Sequence, residues 1–351
     1  MAKIPCIQVP SPKEIHKRFF PNGVKRPVKL PTSWSANVLL TPGDDRELAC
    51  ARIMVGKGAE GQRLMRVQMF LIESLHYHDL FFVTEKEQTK WWYIVSNPSS
   101  IEEQPKDIYG PFDCHSHVPA DNFLKTNGFS HVGSWSVHGK ASNAYAAKRA
   151  SQYPDASSTA SWYWHESASN KLIRIMNTHN LNKYYVAIIG AYYLIDFTNF
   201  KITPRLNLRE LQCRCQQAIK GSNTPSRMRT LADILGTLSN PPSGYQTPCN
   251  ADQIAAIMPG LSFTNQPQTS PRWTDQVQSE MVMLDQDLDP TYCQVWYDWA
   301  YGCQVTVQVY GDLRIDYFMP KEKLGHRVYY NWDGKKWVPS CYDAGRPNYR
   351  F

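Results

Sequence analysis

The stretch Cys303-Gln-Val-Thr-Val-Gln-Val-Tyr310-Gly311-Asp312-Leu313-Arg-Ile315-Asp-Tyr317 decides the fold. Successive side chains of a strand point to opposite sides, so Val305, Val307 and Val309 share one face while Gln304, Thr306 and Gln308 share the other. Gly311-Asp312 has the composition of a two-residue turn of type II′, after which Leu313, Ile315 and Tyr317 resume the alternation. A second hairpin is expected over Tyr329 to Trp337, turning at Asp333-Gly334. The chain therefore closes with an antiparallel β-meander.

Working outward, Arg63 to Ile72, Leu80 to Val83 and Trp91 to Ser96 read as strands from their β-branched and aromatic content. Lys183 to Lys201 reads as two buried strands joined or bent at Gly190. The whole chain carries 11 Trp, 20 Tyr and 13 Phe, and broad side chains of this kind suit pleated surfaces better than helical bundles. Asn97 to Ser161, rich in Ser, Asn, Gly and His, predicts long loops with one Ala-rich helical piece over Ala141 to Gln152. Leu208, Leu211, Cys215 and Ile219 recur at helical spacing, and Met228, Leu231, Leu235 and Leu238 repeat the pattern beyond a break at Gly221 to Pro225. A Pro-, Ser- and Asn-rich loop with a short helix near Asp252 to Met258 follows. The expected class is mainly β (α+β): antiparallel sheets, a C-terminal β-meander, a central helical pair and an extended N-terminal arm. Its expected parts are the arm over 1–35, a β-rich body with long polar loops over 36–205, the helical pair and loop over 206–275, and the meander over 276–351.

The arm follows from six prolines, Pro5, Pro10, Pro12, Pro21, Pro27 and Pro31, which remove donors and argue against a regular helix or a central strand. It is also basic. Residues 1–35 carry a net +6, residues 201–230 another +6 and residues 321–351 a net +4, so with +7 overall the remainder stands at −9. An acidic body with local basic segments suits docking to a polyanion or to an acidic partner surface. The candidate contact residues are Lys13, Lys17, Arg18, Lys25 and Arg26 in the arm, and Arg209, Arg214, Arg227 and Arg229 in the helical pair.

Other features narrow the class. Met1-Ala-Lys-Ile-Pro-Cys6 has no apolar run, so synthesis in the cytoplasm without a signal peptide is expected. Tyr184 to Phe200 is broken by Gly190, carries Asp196 and is too short and polar to span a bilayer, so no membrane partner is expected. The nine cysteines show no CxxC spacing and read as free thiols in a reducing compartment. No phosphate-binding P-loop is present.

Several short motifs carry possible chemistry. In His76-Tyr77-His78, followed by Asp79-Leu80-Phe81-Phe82-Val83, residues two apart on a strand face the same way and could share a divalent ion. The stretch resembles the His-hydrophobe-His motif of rolling-circle replication endonucleases and relaxases, and Tyr145-Ala-Ala-Lys148 resembles their Tyr-x-x-Lys arrangement. That resemblance implies a metal, Mg or Mn, on His76 and His78, and a DNA-attacking Tyr145 beside Lys148. Asp113-Cys114-His115-Ser116-His117 resembles the opening motif of amidohydrolase and polymerase-histidinol-phosphatase barrels, but Gly110-Pro111 before it makes a poor strand and no βα alternation follows. Trp91-x-Tyr93 with Gly110-Pro111-Phe112 resembles fragments of the GYF domain, but the rest of that signature is missing and core aromatics plus a turn account for it better. Asp285-x-Asp287-x-Asp289 resembles the start of a calcium loop but has Pro290 where that loop needs Gly, so an acidic turn accounts for it. Arg227 and Arg229 would open the second helix of a helix-turn-helix over 206–239.

The reading that accounts for arm, charge, strands and absent signatures together is a structural subunit of a large, virion- or phage-like particle. It needs no cofactor, and its partners are copies of itself, other subunits or nucleic acid. The alternatives are the metal-dependent nicking endonuclease and a non-enzymatic nucleic-acid-binding module using aromatics such as Trp162, Trp164, Tyr184 and Tyr185 beside the basic segments.

Overall fold

The computed structural model describes residues 8–42, 47–58, 60–72, 77–86, 88–95, 107–114, 118–149, 159–178, 192–202, 208–221, 276–284, 290–298, 302–320 and 325–344. Within these the chain is mainly β, with two antiparallel sheets and the helices α1 (Pro12–Phe19), α2 (Phe123–Thr126) and α3 (Leu208–Gly221). It divides into two compact units, one of Met1–Lys25, Val132–Trp135 and Pro267–Phe351, the other of Arg26–His131 and Ser136–Gln266.

The larger unit is built on two meanders. Strands β1 (Trp34–Thr41), β2 (Ala49–Lys57), β3 (Arg63–Leu71), β4 (Tyr77–Glu85), β5 (Gln88–Val95) and β6 (Asp107–Cys114) pair in succession. Strands β7 (Ser130–Val137), β8 (Lys140–Arg149), β9 (Thr159–Glu166), β10 (Leu172–Thr178) and β11 (Leu194–Ile202) do the same. Pairing of β1 with β11 joins them into one eleven-stranded sheet in the order β6-β5-β4-β3-β2-β1-β11-β10-β9-β8-β7. One apolar core draws on both meanders, including Val38, Leu40, Ile53 and Val67 from the first and Tyr145, Tyr163, Ile195 and Phe197 from the second.

The opposite face of β3 to β5 is also covered. Leu64, Phe81, Trp92 and Ile94 pack against Leu208, Leu211 and Cys215 of α3, the stripe that the helical spacing predicts. Burial on both sides leaves Leu64 to Phe70 buried without alternation, although Arg66 and Gln68 interrupt the apolar sequence. The same face holds a charged pair. Arg66 donates from Nε to Asp79 Oδ1 at 2.9 Å and from a terminal nitrogen to Oδ2 at 2.5 Å, and Gln68 Nε2 approaches Oδ2 at 3.4 Å. With 6% and 0% of these two side chains exposed, each charge depends on the other for solvation.

Three expectations are corrected here. The region expected to be long loops contains β6, β7, β8 and the start of β9. The Ala-rich piece expected to be helical is strand β8: Ala144 faces Trp164 and Ala146 faces Trp162 across the ladder, so small side chains leave room for indoles and local helix propensity loses to packing. Tyr109-Gly110-Pro111-Phe112, expected to be a poor strand, lies in β6, which is an edge strand where a missing N–H is tolerated. Gly110 is required there, because a Cβ would sit 2.9 Å from the carbonyl oxygen of Trp91.

In the smaller unit, β12 (Gln276–Met283), β13 (Thr291–Asp298), β14 (Cys303–Tyr310), β15 (Leu313–Pro320), β16 (His326–Trp332) and β17 (Trp337–Ala344) form a six-stranded meander in sequence order. Tyr310 pairs with Leu313, and Gly311 takes φ +57° while Asp312 does not take a positive φ, as the type II′ reading requires. Beyond residue 22 the arm forms no regular element before β1, but it carries α1, which the count of prolines argued against. Pro12 sits in the first turn, where its missing N–H has no intrahelical partner to lose, and Ser11 and Glu14 cap the helix reciprocally. The prolines bracket the helix instead of interrupting it. The second member of the helical pair, the bend at Gly190 and the acidic turn at Asp285 to Asp289 lie outside the described residues.

Replacing Asp79 by Asn removes the carboxylate charge that faces Arg66 in a dry site, and denaturant unfolding is expected to show a loss of about 3–5 kcal/mol. The double variant Arg66→Met, Asp79→Leu is expected to recover most of that loss in the same measurement.

Candidate functional site

Strand alternation gives the six-stranded sheet two chemically distinct faces. On the first, Tyr292, Val305, Val307 and Val309 lie under Ile15 and Phe19 of α1, with Trp296, Phe318 and Trp337 at the margin. Polar contacts fix the helix in place. Arg18 donates to Glu280 Oε2 at 2.7 Å and to the Tyr292 hydroxyl at 3.3 Å, and Gln294 Nε2 donates to the same hydroxyl at 2.7 Å. Trp337 Nε1 donates to the Pro10 carbonyl at 3.3 Å. Burial pushes the Tyr292 hydroxyl up to about 12, and its hydrogen bond with the Glu280 carboxylate adds to the effect. Partial burial alone would raise Glu280, but hydrogen bonds from Tyr292, Arg18 and Gln294 hold its carboxyl below the usual range.

The second face has no such cover from α1. Its register sets Met281, Cys293, Gln308, Ile315 and Tyr329 in a row across five strands, beside a row of Val295, Thr306, Tyr317 and Arg327. Met281 and Met283 are 42% and 41% exposed, and Val295, Ile315, Tyr317 and Tyr329 are half-buried. Along β12 to β16, Arg327 is the sole charged residue on this face, and its guanidinium lies 5.3 Å over the Tyr317 ring. Cys293 at the centre is buried, which pushes its thiol up to about 11. It is an inert neutral thiol at physiological pH.

The residues singled out from the sequence are placed as follows. His78 is 4% exposed on β4, edge-on to Tyr93 at 6.5 Å, and His76 lies outside the described residues. Tyr145 and Lys148 are both on strand β8 and not on a helix. Among the described residues no group of three or more His, Cys, Asp and Glu could hold a metal ion. Lys13 and Lys17 are exposed on α1, Arg26 is exposed and Lys25 half-buried in the segment after it. Arg209 is exposed on α3, Arg214 pairs with Glu210 at 2.7 Å, and Arg227 and Arg229 lie outside the described residues. Trp162 and Trp164 are 0% and 2% exposed and cannot stack on bases, and Tyr184 and Tyr185 lie outside the described residues. Trp91 packs on Phe112 at 4.6 Å as a core aromatic, and Asp113 is paired with Lys90 at 3.8 Å while His115 and His117 lie outside the described residues.

Two polar clusters escape the sequence reading. Asp196 of β11 accepts from Arg174 Nε at 2.6 Å and lies 2.7 Å from His138 Nε2, at the tip of the β7–β8 hairpin. A charged residue inside the apolar run 184–200 was the one signal of it. His165 of β9 is wholly buried, donates from Nδ1 to the Asn170 carbonyl at 3.0 Å and has no partner on Nε2 among the described residues. It stands 6.0 Å from the Tyr145 ring, which in turn lies 5.5 Å from His131. Burial pushes His165 down to about 4.

No protein-family model matches the chain, and no curated protein matches it. Among solved structures, it is similar to MucB in complex with periplasmic MucA, at 9% identity and a TM-score of 0.26, covering 85% of this chain and 86% of that one. The Pseudomonas aeruginosa MucA/MucB complex matches at 10% identity, with the same TM-score and coverage. At that overlap neither likeness carries an argument.

A folded His165 takes up its proton only near pH 4, whereas the unfolded chain takes it up near pH 6.5, so the unfolded state binds more protons between them. Stability is therefore expected to fall as pH drops through that window, by up to about 3 kcal/mol from this residue, and to level off below it. His165→Phe is expected to flatten that part of a pH series of denaturant midpoints.

Proposed function

We propose that this chain is a structural subunit of a larger assembly, meeting a second copy of itself through the outward face of its six-stranded sheet. The observation that carries this reading is the sheet's two-sided apolar character. One face is closed by α1, and the other offers Met281, Ile315, Tyr317 and Tyr329 with Arg327 as its sole charge along β12 to β16. A two-fold interface sets a patch against itself, so charge on the patch would meet like charge. A nearly uncharged patch avoids that cost. Half-exposed Met and Tyr side chains are also the types enriched at the centres of protein interfaces. The incorporation of such a subunit in a virus-like particle, and contacts to nucleic acid through the basic segments, are finer parts of the same reading. The nicking endonuclease reading places Tyr145 and Lys148 on a helix, whereas both lie on β8.

Sedimentation velocity over a concentration series tests the proposal. The unaltered chain is expected to gain mass with concentration, and Ile315→Asp, which places a carboxylate in the middle of the patch, is expected to shift the association midpoint upward by at least about ten-fold. A strictly monomeric chain at the highest concentration would sink the reading.

A further inference from the structure

We propose that α1 is an exchangeable docking element, and that the segment Ser11–Phe20 of one copy can occupy the covered face of a second copy's six-stranded sheet. This rests on the subunit reading, but it concerns the opposite face of the sheet and can fail separately.

The sheet needs a helix on that face. Val305, Val307 and Val309 are 3%, 0% and 3% exposed in a cluster that Ile15 and Phe19 close. The helix in turn needs the sheet. Eight residues make too short a helix to persist alone in water, even with the Ser11–Glu14 capping box. What the contact does not require is that both come from one chain. Its fastenings are specific: Ile15 and Phe19 on the valines, the edge contact of Phe19 with Trp135, the Arg18–Glu280 pair with the Arg18–Tyr292 hydrogen bond, and the Trp337–Pro10 hydrogen bond.

The connector leaves that choice open. After Phe20 no regular element occurs until β1, and Pro21, Asn22, Gly23, Val24 and Arg26 are exposed, Val24 by 72%. The first buried anchor is Leu30, whose N–H donates to the Asp121 carbonyl at 2.8 Å. Residues 20–29 can therefore span at most roughly 33–36 Å when extended. Pro21 and Pro27 bias the connector toward extension by fixing φ. A short helix on a stiff exposed connector, held by contacts that are the same within a chain or between chains, is the arrangement in which exchange of elements between copies costs least.

Charge reversal separates the two arrangements. In Arg18→Glu, a carboxylate on α1 faces Glu280, and in Glu280→Arg, a guanidinium on the sheet faces Arg18, so each chain alone sets like charges against each other. If helices stay on their own sheets, mixing the two chains changes nothing. If they exchange, the mixed pair makes two complementary contacts, Glu on Arg and the native Arg18 on Glu280. Native mass spectrometry of an equilibrated mixture, with one chain carrying a mass label, is expected to show mixed dimers about five- to ten-fold in excess over same-chain dimers, the product of two exposed ion pairs. Dimers in the statistical 1:2:1 ratio would overturn the exchange while leaving the outward-face interface intact. Absence of any dimer would overturn both. Adding Ile315→Asp to both chains sorts the remaining case, since mixed dimers that persist there are held by the helices alone.

Discussion

The pairing of β1 with β11 is the constraint on which the larger unit depends. It joins two meanders whose strands are otherwise each next to their sequence neighbours, and without it each meander would end in an open edge. Its register is tightly specified. Val38 lies opposite Phe197 and Leu40 opposite Ile195, all facing the shared core, while Leu39 lies opposite Asp196 on the other side. A slip of one residue would carry Asp196 into the apolar core and expel Ile195. The Asp196 carboxylate is instead held by Arg174 on the adjacent strand and by His138 from the β7–β8 hairpin. The charged cluster therefore reads most naturally as a register lock. Because β1 and β11 are far apart in sequence, this ladder closes late relative to the hairpins on either side.

What the sequence revealed follows from how many forces act on a segment. Where one face of a strand is buried and the other is not, as at Val305, Val307 and Val309, alternation is printed in the sequence and both the strands and the turn at Gly311 are legible. Where both faces are buried, as in Arg63–Leu71, composition still betrays the strand. The failures came where tertiary packing chose a residue against its local preference. Ala144 and Ala146 are helix formers placed in a strand because Trp164 and Trp162 need the space opposite. Gly110 and Pro111 are strand breakers retained at an edge where close approach to Trp91 demands one and a missing donor permits the other. Pro12 misled in the opposite sense, since a proline at a helix start favours the helix it was taken to exclude.

The polar groups of the interior were the least legible. Asp79 directly follows the His76-Tyr77-His78 motif, and its partner is Arg66, thirteen positions earlier and on the neighbouring strand. Such a pair is invisible to any local pattern because the ladder, not the sequence spacing, brings the residues together. His165 is similar. One buried nitrogen is satisfied by the turn after its own strand and the other by nothing among the described residues, an environment that only the fold defines.

Charge changes meaning once it is placed in space. The basic arm and the basic tail, separated by nearly the whole chain, fall in the same compact unit, and the Trp337–Pro10 hydrogen bond brings the start of α1 beside the turn that carries Lys335 and Lys336. Lys13, Lys17, Lys335 and Lys336 are all exposed there. The outward face of the same sheet carries Arg327 as its sole charge along β12 to β16. One unit thus sorts its electrostatic and apolar surfaces onto opposite sides of a single sheet. Attraction to polyanions, which weakens as salt is added, would act on the helix side. Apolar association, which salt does not screen, would act on the other. On the proposed reading the two would not interfere, because neither face must compromise its chemistry for the other.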